Sequence, residues 1–183
     1  MKTSLSVAIA VLLVALQVPA EQGYDGDIIR KIISVPSPSA YRVDGLPFKP
    51  LVRTDRTVQG GKALRVDVPG KAPDSGAIAV TVSINKPVKA GDKLVLAIWA
   101  RLEKGENGAS FETLEYNSIQ LTHAPYTALL SGPLQIGPEW KLQELNGISN
   151  GNYAAGDLKV SIHLASGKHV VDIGPVLVLD MGQ

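Results

Sequence analysis

The chain has 183 residues, 45% of them hydrophobic and 5% aromatic, with a formal net charge of +1 and no cysteine. A near-neutral chain of mixed signs lacks the electrostatic footprint of a nucleic-acid or anionic-membrane binder. Without cysteine, no disulfide can help the core, and the length suits one domain large enough to bury one.

Residues 1–20 read as a secretory signal peptide. Lys2 gives a positive start, Leu5 to Leu16 form an apolar run, and Val18-Pro19-Ala20 place small residues before a cut after Ala20. The run is shorter than the roughly 20 residues a bilayer span needs. Loss of Lys2 brings basic and acidic residues into balance. The chain is therefore expected to be exported to the periplasm or the medium, and no later apolar run is long enough to span a membrane. Residues 21–59 read as an N-terminal arm and first strands, forming a single domain with a β-sandwich core over 60–183. Pro36, Pro38, Pro47 and Pro50 mark the arm as irregular. Ile28, Ile29, Ile32 and Ile33 recur at helical spacing, but their β-branching equally allows a strand.

From Gly60 the pattern has period two. Leu64, Val66 and Val68 share a face opposite Arg65 and Asp67. Ile78, Val80, Val82 and Ile84 alternate with Ala79, Thr81 and Ser83. Leu94, Leu96, Ile98, Ala100 and Leu102 alternate with Val95, Ala97, Trp99 and Arg101. Tyr116, Ser118, Gln120 and Thr122 face away from Glu115, Asn117, Ile119 and Leu121. Leu158, Val160, Ile162 and Leu164 face away from Lys159, Ser161 and His163. Strands with one apolar and one mixed face belong to antiparallel sheets. Turn residues separate them, as at Pro69-Gly70, Ala90-Gly91-Asp92 and Asn150-Gly151-Asn152. The expected fold is an all-β antiparallel β-sandwich or jelly roll.

Hydrolytic chemistry has no local signature. There is no Gly-x-Ser-x-Gly elbow and no thiol. His123, His163 and His169 lack metal-ligand spacing, and Glu112 and Glu115 fall on opposite faces of their strand. The polar faces are more informative. Trp99 and Arg101, Tyr116, Gln120 and Thr122, and His163 come from three strands and are expected to pool on one surface. Rings pack on the C–H faces of pyranoses, while amides, hydroxyls and guanidinium groups bond their hydroxyls. Trp140, after Gly137-Pro138-Glu139, reads as a packing anchor.

Several segments in order carry a resemblance. They are Gly60-Gly61-Lys62-Ala63-Leu64-Arg65-Val66, Pro87 to Asp92 leading into Ala97-Ile98-Trp99-Ala100-Arg101, Ala124-Pro125-Tyr126-Thr127, Pro138-Glu139-Trp140-Lys141, and Val171-Asp172-Ile173-Gly174-Pro175-Val176. Over 60–180 the chain resembles jelly-roll carbohydrate-binding modules of families four, nine and twenty-two, the xylan- and glucan-binding modules. The resemblance implies a cleft on one concave sheet face, with Tyr126 at its edge, contacts at Tyr116, Gln120, Thr122 and His163, and a polar contact at Asn85. It also implies a structural calcium in the family, whose ligand position is matched here by Asp172 alone. No cofactor is therefore expected.

The expectation is a non-catalytic module for a polysaccharide or oligosaccharide, with a separate glycan-processing enzyme as a further partner. The alternative is an envelope protein–protein interaction module on the same fold.

Overall fold

The structure, a computed structural model, describes residues 26–183; the expected signal peptide lies outside the described residues. Among the described residues, ten strands form two five-stranded antiparallel sheets. The first sheet has the order β1 (Arg42–Asp44), β4 (Ala79–Ser83), β9 (Leu158–His163), β6 (Glu112–Leu121) and β7 (Ala128–Ile136). The second has β2 (Leu51–Thr54), β3 (Lys62–Val68), β10 (His169–Asp180), β5 (Lys93–Lys104) and β8 (Lys141–Ile148). The apolar stripes read from the sequence meet between the sheets: Leu64, Val66, Val80, Val82, Leu96, Ile98, Ile119, Val160 and Ile162 are all buried there. An antiparallel sandwich is thus what the period-two pattern specifies.

The isoleucine-rich segment divides between its two readings. Gly26–Lys31 is a short helix, α1, and the chain then becomes extended. Ile32 bridges Leu179 and Ser34 bridges Ile84, so the segment ties the second sheet to the first. Its position has a cause in β10. Pro175 sits inside this central strand, where it can donate no ladder bond. The β5–β10 register shifts between Ile173 and Val176, and β3 pairs with β10 only as far as Ile173. Beyond the proline the arm becomes the neighbour. Ile33 N–H donates to the Val178 carbonyl at 2.8 Å. The Ser34 hydroxyl accepts from Val178 N–H at 2.9 Å and donates to the Val176 carbonyl at 3.1 Å. The Tyr41 hydroxyl accepts from Val176 N–H at 2.7 Å.

Strand β6 carries a bulge. Leu114 opposes Leu134 and Asn117 opposes Gly132, so the β6–β7 register shifts between Leu114 and Asn117. Leu114 and Asn117 consequently both point into the core, although an odd spacing would separate them on a regular strand. The buried Asn117 amide donates to the Leu114 carbonyl at 2.9 Å and the Gly132 carbonyl at 3.1 Å, which fills the gap.

Candidate functional site

The outer face of the first sheet holds an open groove of about 500 Å³. Register explains its shape. Thr81 on β4, Ser161 on β9 and Ser118 on β6 lie directly opposite one another across the sheet. The short side chains of Thr81 and Ser161 make a low floor, and Ser118 is fully buried. Two rows lie beside them, Asp44, Ala79 and His163 on one side and Ser83, Lys159 and Gln120 on the other, and in these rows Asp44, His163 and Lys159 carry the longer side chains. Side chains on one face recur every second residue, so three neighbouring rows of unequal height make a trough running across the strands.

Rings stand at its sides. Tyr116 packs against His163 with ring centroids 4.7 Å apart and planes inclined by 44°. Tyr126, in the loop after β6, is half exposed with its ring under the Lys159 ammonium, 4.9 Å from Nζ to the centroid. Tyr126 has φ of 54°, the left-handed region, which costs a bulky residue energy. Gln120 is buried at the floor, where its Oε1 accepts from the Ser118 hydroxyl at 2.7 Å. The 3-10 turn Ser75–Ala77 closes over His163, with Ser75 Oγ 3.2 Å from Nδ1. Gly76 is required there, since a Cβ would lie 2.7 Å from the imidazole Cε1. Burial pushes the His163 pKa below its usual value; the Asp74 charge opposes this and the Lys159 charge adds to it.

Tyr116, Gln120, Tyr126 and His163 therefore line one groove, together with Asp44, Asp74, Ser75, Thr81, Lys159 and Ser161. Asn85 and Thr122 lie past the ends of β4 and β6 and are not part of its lining. The expectation that Trp99 and Arg101 share this surface is corrected. They belong to β5, which pairs with β10 and β8 in the opposite sheet. Their polar face is the outer face of the other layer.

There both residues are occupied. Trp99 donates from Nε1 to Gln59 Oε1 at 3.1 Å, beneath the loop between β2 and β3. Gly174 lets that loop approach: a Cβ there would meet Val58 Cγ2 at 2.7 Å and Trp99 Cβ at 2.9 Å. Arg101 lies over the Trp140 ring at 5.0 Å, and its guanidinium is 2.9 Å from Asp172 and 3.3 Å from Asp55. Trp140 thus packs within this layer, as its position after Gly137-Pro138 suggested. Asp172 is fully buried and accepts from Arg65 at 2.8 and 2.9 Å and from Arg101 at 3.0 Å, with Arg53 at 3.5 Å. Burial alone would raise its pKa; hydrogen bonds from Arg65 and Arg101, with their charges, hold it below the ordinary carboxylate range. The bond to Asp172 in turn raises Arg65 above its ordinary value. A carboxylate surrounded by three guanidinium groups does not fit a calcium ligand, since a calcium ion wants 6–8 oxygens. Among the described residues no cluster of three or more His, Asp or Glu is arranged to hold a metal.

The sequence matches no protein-family model and no curated protein. The fold is that of jelly-roll carbohydrate-binding modules of the CBM4 and CBM22 type. The N-terminal cellulose-binding domain of Cellulomonas fimi β-1,4-glucanase C superposes with a TM-score of 0.57 at 15% identity, over 81% of this chain and 93% of that one. The second N-terminal cellulose-binding domain of the same enzyme gives 0.56 at 19% identity, over 79% and 87%. The CBM22-1 xylan-binding domain of Paenibacillus barcinonensis Xyn10C gives 0.51 at 12% identity, over 84% and 93%.

Proposed function

We propose that this chain is a non-catalytic carbohydrate-binding module that holds a polysaccharide or oligosaccharide in the groove of the first sheet. The observation carrying the reading is the trough itself: a floor of hydroxyl and amide groups between rows bearing Tyr116, His163 and Tyr126, on a fold shared with cellulose- and xylan-binding domains. Rings supply stacking surfaces for pyranose faces, and the floor supplies partners for their hydroxyls. Three strand-to-strand steps of about 4.8 Å separate β1 from β6, a length of about 14 Å that suits a short stretch of extended glycan.

The carboxylates lining the groove support binding rather than hydrolysis. Asp44 is paired with Arg42 at 2.7 Å, and Asp74 accepts from the Gly76 amide at 2.9 Å. Export to the periplasm or medium, where a separate enzyme would process the same glycan, completes the proposal.

Affinity electrophoresis of the exported chain through gels containing β-glucan, xylan or bacterial exopolysaccharide tests it. Retardation by at least one polymer is expected. Tyr126→Ala should weaken it by about 1–3 kcal/mol, the range for stacking on flat ligands. Trp99→Ala should leave retardation unchanged in the fraction that folds, because its ring is in the other layer. Unretarded migration on every polymer refutes the proposal.

A further inference from the structure

His163 is held on three sides within the groove. The Tyr116 ring packs against it, Ser75 Oγ meets Nδ1, and Gly76 leaves no space even for a Cβ. Its remaining edge lines the groove, so the ring is half-buried before any ligand arrives. We infer that glycan capture by this groove is controlled by the charge on His163: the neutral ring accepts an uncharged glycan, and the protonated ring releases it. The inference rests on the carbohydrate-binding reading and adds regulation to it.

The charged and titratable groups around the ring fix the sign. Lys159 lies four residues back on β9, on the same face. Asp74 approaches from the 3-10 turn, Asp44 from β1 in the same cross-strand row, and the Tyr116 phenol from β6. The β4 neighbour in that row is uncharged Ala79. Burial already disfavours the imidazolium, Asp74 offsets this in part, and Lys159 reinforces it. A neutral sugar laid over the open edge excludes the water that solvates the charge and brings no counter-charge. The bound ring is then harder to protonate than the free ring. By linkage, a proton affinity that falls on binding requires a binding constant that falls with acid. A ligand bearing carboxylates would give the opposite slope.

The test measures dissociation constants for cellohexaose and xylohexaose by calorimetry at about pH 7.5 and about pH 5, on either side of the ordinary imidazole pKa. The chain with His163→Gln and the chain with His123→Gln are measured beside the unaltered one. Kd of the unaltered chain should rise several-fold toward acid, approaching the roughly tenfold that one pKa unit between free and bound rings gives once pH lies below both values. His163→Gln should abolish this slope, and His123→Gln, whose exposed side chain lies outside the groove lining, should preserve it. Equal affinity of the unaltered chain at both pH values overturns the inference and leaves the carbohydrate reading standing. Absence of binding to either sugar and to the polymers above overturns both. Should His163→Gln unfold, proton NMR titration of the His163 ring with and without the bound hexasaccharide decides: a pKa that does not fall on binding overturns the inference.

Discussion

Asp172 shows how one buried charge organises a surface that the sequence made to look like a binding face. Its carboxylate reaches no water, and Arg65, Arg101 and Arg53 gather round it while Arg65 and Arg101 also reach Glu103. Removing the charge strands partly buried guanidinium groups, and loss of one partner from a buried pair is costly. Asp172→Asn is expected to lower stability by about 3 kcal/mol, read from the urea midpoint at neutral pH. Arg53→Ala, with its longer contact and greater exposure, should cost under about 1 kcal/mol in the same assay. Arg101 beside Trp99 reads equally well as a sugar contact or as half of an ion pair, because the partner is 71 residues away in sequence. Tyr116, Gln120 and His163 were legible as surface neighbours because alternation within β6 and β9 holds and those strands are paired.

Among the elements, β6 is held in shape by Asn117. Its amide occupies two carbonyls at the bulge, so Asn117→Ala leaves buried acceptors without donors and should cost about 2 kcal/mol, measured by denaturant unfolding. Its effect on the groove is separate: the bulge sets where Tyr116 stands against His163, so the variant should also weaken glycan retardation in gels at temperatures where it remains folded. The junction of β7 and β8 depends on glycine. A Cβ at Gly147 would lie 2.8 Å from Leu130 Cβ, and one at Gly132 would lie 2.8 Å from Leu145 Cδ2. The Leu145 contact ends on a flexible side-chain tip and the Leu130 contact on a fixed Cβ. Gly147→Ala should therefore lower the thermal midpoint more than Gly132→Ala. These two strands were the hardest to read. Gly132 and Pro133 interrupt β7, and β8, Lys-Leu-Gln-Glu-Leu-Asn-Gly-Ile, is half-buried along most of its length and shows no clean alternation. Strands whose two faces differ sharply, such as β5 and β9, announce themselves; those at the corner between sheets do not.

For the whole molecule, alternation says that a strand has a polar face but not which layer carries it. Consecutive strands β5 and β6 enter different sheets, so Trp99 and Tyr116 diverge although each was placed correctly on its own strand. Antiparallel pairing and the sandwich class are local consequences of pattern; the strand order β1-β4-β9-β6-β7 is a long-range result of core packing. Stability should respond to acid in two stages. The folded His163 pKa is lowered, so the unfolded chain takes up that proton first as pH falls below about 6.5, and stability declines until the folded pKa is passed. Asp172 and Asp55 have lowered folded pKa values, so their contributions persist above about 3.9 and vanish as pH drops through the folded values. Thermal midpoints measured from pH 7 to pH 2 should show both stages, the first absent in His163→Gln and the second diminished in Asp172→Asn. The segment joining Ile32 to Leu179 and Ser34 to Ile84 has a further consequence. Were it to peel away, the half of β10 beyond Pro175 would present bare amides and carbonyls to any passing chain, an invitation to edge-to-edge association. Cleavage by a protease between Val35 and Tyr41 should accordingly convert monodisperse protein into aggregates well before the rest of the sandwich melts.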